Sequence, residues 1–254
     1  MDKLYKLINS ILKPLGFSLI RNELRADLPG LIRRLQKAGV ELQIIYDIGA
    51  YRGKWTEGLK PHVKKDAQFF LFEPNSKFDS ELRSTGFPVF KVLLSDKSEL
   101  KTFYSQEGSG DSYYPEKSIG NSVVAEVQIQ TTTLDDLFSV ASNGLLQPDL
   151  IKVDTQGSEI DILKGSTRVV KQLKVLILEC PIVKYNQGAP NIQEYLDFVI
   201  KLGFVPFQVI EIHILNNAFV QIDIAFVSKK VFNEHFGNLD LEGFWQSTRD
   251  YYRI

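Results

Sequence analysis

From residue 43 onward, the segments 43–47, 68–73, 89–94, 150–154 and 175–179 are short and apolar through their centres rather than at alternate positions. A strand that is apolar on both faces has to be covered on both, and a parallel sheet flanked by helices does this. Polar, helix-patterned stretches lie between these runs. They run towards Pro61, over 78–83, through Ile160 and Leu163, and over 192–202 before Gly203. The pattern predicts an α/β fold with a doubly wound, mostly parallel seven-stranded sheet. Segments 100–105 and 123–131 read as an antiparallel insertion around a Gly/Ser/Tyr-rich loop at 108–120. Two alternating runs, 207–215 and 219–227, read as a closing antiparallel pair.

The first forty residues follow a different pattern. Leu4, Leu7, Ile8, Ile11 and Leu12 fall at helical spacing before Pro14 and Gly16, and Leu31, Ile32 and Leu35 form a second stripe before Gly39. We therefore expect a helical extension over 1–40 and one domain over 41–254. The extension is expected to cap the domain or a partner subunit, so a homodimer stays open. Lys3, Lys6 and Lys13 beside the first stripe also suit a membrane surface.

The 254 residues carry a net charge of −1, which provides no basic footprint for nucleic acid. Cys180 is the one cysteine, so neither an intramolecular disulfide nor a cysteine-built zinc site can form. No apolar run is long enough to span a bilayer, and Asn9, Ser10, Lys13 and Pro14 interrupt any signal-peptide core. A cytoplasmic protein is expected.

The segment Asp47-Ile48-Gly49-Ala50-Tyr51-Arg52-Gly53 follows the first strand. Glycines in a strand-to-helix turn let a ligand approach the backbone, because no Cβ intervenes. Tyr51 stands where a pyrophosphate-binding turn needs glycine. The spacing instead suits a nucleoside whose 5′ substituent is an amino-acid chain, with Asp47 facing its ammonium directly or through water. About twenty residues later Glu73, followed by Pro74, ends the second strand, where a carboxylate can accept both hydrogen bonds of a ribose diol. Ser95-Asp96 follows the third strand, on the adenine side, and Asp154 follows the fourth. Asp47, Glu73, Asp96 and Asp154 thus all fall at the strand ends where open α/β sheets bind ligands.

These motifs resemble the FkbM family of class I S-adenosylmethionine-dependent methyltransferases over residues 43 to 227. The distinctive part is Thr132-Thr133-Leu134-Asp135-Asp136-Leu137, Ile151-Lys152-Val153-Asp154-Thr155-Gln156-Gly157-Ser158-Glu159 and Leu163-Lys164-Gly165, with Glu179 and Tyr185 beyond. The resemblance implies O-methylation of a small molecule, natural product or saccharide, with S-adenosylmethionine as the methyl donor. It implies a cofactor site at Asp47, Gly49, Ala50, Gly53 and Glu73, and puts Ser95, Asp96 and Asp154 near the adenine or the reacting methyl.

A hydroxyl acceptor has to lose a proton as it is methylated, and the candidate bases are Asp154, Glu179, Glu159 and His213. Glu179-Cys180-Pro181 and Asp154 offer too few oxygen ligands for a hard ion, so no metal is expected. The tyrosines of Asp111-Ser112-Tyr113-Tyr114-Pro115 are candidates for a substrate lid. Phe244, Trp245, Tyr251 and Tyr252 are expected to pack on the core or on a second subunit. Two other classes compete. One is a nicotinamide-dependent oxidoreductase, disfavoured by Tyr51 and by the lack of a Tyr-x-x-x-Lys pattern. The other is a non-catalytic nucleoside-binding module.

Overall fold

The computed structural model describes residues 2–16, 25–106, 111–115, 123–184 and 186–239. Tyr185, the tail aromatics and most of the 108–120 loop lie outside the described residues.

Helices α1 (Asp2–Leu12) and α2 (Leu28–Lys37) precede strand β1 (Ile44–Ile48). Helix α3 (Lys54–Leu59), strand β2 (Gln68–Phe72), helix α4 (Asp79–Ser84) and strand β3 (Val89–Phe90) follow. Next come β4 (Leu93–Leu94), β5 (Leu100–Gln106), β6 (Val123–Thr132), α5 (Leu134–Ser139), β7 (Leu150–Val153) and α6 (Glu159–Lys164). The described chain closes with β8 (Val175–Pro181), α7 (Ile192–Lys201), β9 (Phe204–Leu215), β10 (Ala218–Ser228) and α8 (Lys229–His235).

Seven strands form one sheet in the order β3-β2-β1-β7-β8-β10-β9. Pairing is parallel from β3 to β8, and β10 then pairs antiparallel with both β8 and β9. The order reverses between β1 and β7, which opens a crevice at the carboxyl ends of the central strands. Strand residues alternate between two buried faces. Tyr46, Ile48, Phe70, Phe72, Ile151 and Val153 join one core with Ile160, Leu163, Tyr195 and Val199 of the covering helices. Ile45, Phe69, Leu71, Leu150, Val175 and Ile177 join the other with Leu31, Ile32 and Leu35 of α2 and Val231 of α8. Burial on both faces accounts for the continuous apolar runs.

The 89–94 segment departs from the single strand expected of it. Val89–Phe90 pairs with β2, but Leu93–Leu94 pairs with β6 in a separate three-stranded sheet, order β4-β6-β5. The break falls at Lys91, which is exposed, and Val92. Among the described residues no helix is long and apolar enough to cross a membrane.

Candidate active site

The crevice at the switch point contains a cavity of about 390 Å³, within the range of small-molecule sites. Ile48, Gly49, Ala50, Tyr51, Glu73 and Pro74 line one part of it, Leu93, Leu94, Phe103 and Tyr113 another, and Asp154, Gln156, Glu179, His213 and Gln221 a third.

The β1–α3 turn is shaped by what lies behind it. Gly49 has φ +76°, and a Cβ there would stand 1.8 Å from the Asp154 carbonyl oxygen, so the two strand ends can approach only with glycine between them. The Gly49 and Ala50 amides both donate to the Phe72 carbonyl, at 3.0 and 3.1 Å. Tyr51 adopts φ +50°, and its ring meets Phe78 edge-on at a centroid distance of 4.4 Å. Glu73 ties this turn to the next. One carboxylate oxygen accepts from the Tyr51 amide and the other from the Asn75 amide, each at 2.9 Å. Burial pushes its carboxyl up to about 7, against the pull of those two amides. Each oxygen keeps a lone pair for a ligand hydroxyl.

Asp47 occupies a different place from the one its position in the motif suggests. It is fully buried beneath the turn and does not line the cavity. Its Oδ2 accepts from Thr56 Oγ1 at 2.7 Å, and its Oδ1 lies 3.6 Å from Lys152 Nζ. Direct contact with a ligand ammonium is therefore not what the geometry offers. Gly53 also sits back from the cavity, at φ +75° before the first turn of α3.

Lys152 is the pivot of the interior. Its ammonium lies 2.9 Å from Asp154 Oδ2 and is shared with Asp47. Burial disfavours the charge on Lys152, but Asp154 and Asp47 outweigh it and raise the pKa above the ordinary lysine value. Burial likewise works against the Asp154 carboxylate, and the pairing with Lys152 overcomes it and holds the group below its ordinary range. A chain of side chains continues from there. Gln156 Nε2 donates to Asp154 Oδ1 at 3.3 Å and to Glu179 Oε2 at 2.6 Å, and Gln221 Nε2 donates to Glu179 Oε1. Burial first, and the Asp154 charge second, push the Glu179 carboxyl well above its ordinary value.

Two further expectations change. Glu159 is fully buried away from the cavity and cannot meet a substrate. It accepts from the Thr155 amide at 2.7 Å, from the Gly157 amide at 3.0 Å and from the Tyr195 hydroxyl, and so staples the 154–158 loop. Ser95 and Asp96 also lie off the cavity, because the chain has already left the main sheet at β4. Ser95 donates to Asp96 at 3.1 Å and accepts from Lys101 at 2.9 Å, while Leu93 and Leu94 supply the lining expected of them. His213, on β9, does reach the cavity, with Nε2 3.8 Å from Glu211 and 3.9 Å from Asp223.

Lys152, Trp55, Gln156 and Gln221 line the cavity, and Asp223 lies beside His213; sequence reasoning missed all of them as site residues. A charged residue inside an otherwise apolar strand was the available signal for Lys152 and Asp223. Trp55 and Gln221 gave none, and Gln156 stood only within the motif that carries the family resemblance.

The family model described as the methyltransferase FkbM domain matches residues 47–206. Two curated relatives are similar over comparable stretches. The 2-O-methyltransferase NoeI of Sinorhizobium fredii is 26% identical over 176 residues, 61% of this chain and 70% of NoeI. The hexuronic acid methyltransferase AglP of Haloferax volcanii is 27% identical over 155 residues, 59% of this chain and 60% of AglP. Among solved structures, methyltransferase FkbM from Methylobacillus flagellatus KT matches with a TM-score of 0.45 and 14% identity, covering 72% of this chain and 43% of that one.

Proposed function

The chain belongs to the FkbM family of S-adenosylmethionine-dependent methyltransferases, and on that premise we propose that it methylates a hydroxyl oxygen of a saccharide or another small molecule. The observation that carries this reading is the single cavity wall-to-wall between the Gly49 turn with Glu73 and the group Asp154, Glu179 and His213. The residues suit the donor. Gly49 and Ala50 line the cavity at the turn, and Glu73 presents a carboxylate to a ribose diol. Leu93, Leu94 and Phe103 offer an apolar wall for a base. When bound, S-adenosylmethionine supplies a methyl group already activated on a sulfonium.

The chain's own residues then align the acceptor, exclude water and take its proton. Asp154, ionised through Lys152, is the base on this reading. His213 and Glu179 flank the acceptor. A saccharide is favoured because amide, carboxylate and imidazole groups line the acceptor side, and because the relatives' names include a hexuronic acid methyltransferase. We further propose that residues 41–254 form the methyltransferase unit with 1–40 as a helical extension. The exposed Leu7, Ile11 and Leu15 support a homodimer. A cytoplasmic location and no role for nucleic acid complete the reading, in keeping with the net charge of −1.

Calorimetric titration with S-adenosylhomocysteine tests it. Micromolar binding is expected, weakened by about 1–3 kcal/mol in Glu73→Ala through the loss of charged, buried hydrogen bonds. Absence of binding to the unsubstituted chain, or displacement by NAD, would reject the methyltransferase reading.

A further inference from the structure

Glu179, His213 and Asp223 place three potential ligand atoms within 4.8 Å of one another. Strand pairing gathers them. Asp223 stands opposite Glu179 across β10 and β8, and Gln221 stands opposite His213 across β10 and β9. Side chains at alternate strand positions share a face, so these residues converge on one side of the sheet.

Asp223 is 6% exposed. Its buried Oδ1 accepts no hydrogen bond from any described residue, and His213 Nε2 lies 3.9 Å from it. A buried carboxylate oxygen with no donor, beside a second buried carboxylate, calls for positive charge. Lys152 acts on Asp223 only at longer range, because its direct ion pairs are with Asp154 at 2.9 Å and Asp47 at 3.6 Å. Gln156 and Gln221 hold the two oxygens of Glu179 in orientation, and each oxygen keeps a lone pair.

We propose that Glu179, His213 and Asp223 bind a divalent first-row transition cation whose remaining coordination positions face the cavity. One imidazole with two carboxylates suits Mn²⁺, Fe²⁺, Co²⁺ or Zn²⁺ better than the all-oxygen preference of Mg²⁺ or Ca²⁺. Three protein ligands leave room for a substrate oxygen, as catalytic metal sites require. The expectation of no metal rested on Asp154 and Glu179 alone and did not include Asp223.

The role of the cation, though not its binding, rests on the methyltransferase reading. A hydroxyl bound to the cation is more acidic, so a weakly basic carboxylate can deprotonate it. Its proton passes to Asp154 as the oxygen–carbon bond forms. The methyl–sulfur bond breaks in the same step, and its electron pair stays on sulfur as a neutral thioether.

Manganese titration of the chelator-treated full chain, followed by the electron paramagnetic resonance signal of free Mn²⁺, tests the site. One equivalent is expected to bind with micromolar affinity and to be displaced by Zn²⁺. Binding is expected to weaken at least tenfold in both Asp223→Asn, which preserves shape, and His213→Ala, at a partly exposed position. No Mn²⁺ binding by the unsubstituted chain overturns the proposal, as does binding that neither substitution alters. Far-ultraviolet circular dichroism verifies that each sample is folded, and calorimetry with S-adenosylhomocysteine on the same samples separates the two readings. Nucleoside binding without Mn²⁺ binding removes the metal alone, and Mn²⁺ binding without nucleoside binding removes the methyltransferase reading alone.

Discussion

Glu73 carries a pH dependence that can be measured without any substrate. Its carboxyl lies at about 7 in the folded chain against an ordinary 4.5, because burial outweighs the Asn75 and Tyr51 amides. Between those values the native state holds a proton that the unfolded chain has released. The contribution is therefore complete below about pH 4.5 and lost as the pH rises through about 7, amounting to roughly 3 kcal/mol. Glu73→Gln stays neutral throughout, so its urea-unfolding free energy should fall less between pH 5 and 7 than that of the unsubstituted chain. Equal slopes would show that Glu73 does not titrate there. Glu73 was legible in the sequence as a strand-end carboxylate, and so were Asp154 and Glu179. The same rule also selected Asp47 and Asp96, and the search for a base selected Glu159, and all three lie off the cavity. A strand end tells which edge of the sheet a carboxylate occupies. Whether that carboxylate meets the cavity or the protein interior depends on Thr56, Lys152 and Tyr195, which come from other parts of the chain.

At the level of elements, the β1–α3 turn is the one that tolerates least. Gly49→Ala combines a left-handed φ of +76° with a Cβ placed 1.8 Å from the Asp154 carbonyl. The backbone penalty alone is about 1–2 kcal/mol, and the clash requires the β1 and β7 ends to separate. We expect a loss of more than about 2 kcal/mol in denaturant unfolding, together with loss of S-adenosylhomocysteine binding by calorimetry. Retention of both would mean that the turn relaxes freely. The central strands were legible because burial on both faces leaves an apolar run that few other structures need. The division of 89–94 into β3 and β4 was not. Both halves are apolar, and pairing with β6, some forty residues later in the chain, decides where the strand changes sheets. In the same way, Gly165 stood in the motif Leu163-Lys164-Gly165 with no physical reason for a glycine visible in the sequence. A Cβ there would stand 2.1 Å from the Ser95 carbonyl, a contact that only the folded packing reveals.

On the scale of the whole molecule, α2 belongs to the covering layer of the sheet, with Leu31, Ile32 and Leu35 fully buried. Leu35→Ala should cost about 2–5 kcal/mol through lost burial and the cavity left behind. Leu7→Ala, at a position 59% exposed on α1, should change the stability of the monomeric chain by less than about 0.5 kcal/mol. Urea unfolding of the two variants checks this, and a neutral Leu35→Ala would show that the domain does not need α2. The antiparallel seat of β10 has a different kind of consequence. The donor-side residues Gly49 and Glu73 come from the first third of the chain, whereas His213, Gln221 and Asp223 sit on a hairpin near its end. On this division of labour, descent can reshape what the protein modifies by redrawing one hairpin while the donor turn is inherited unchanged. A recombination joint in α7 would transplant the β9–β10 share of the acceptor side and leave Asp154 and Glu179 in place.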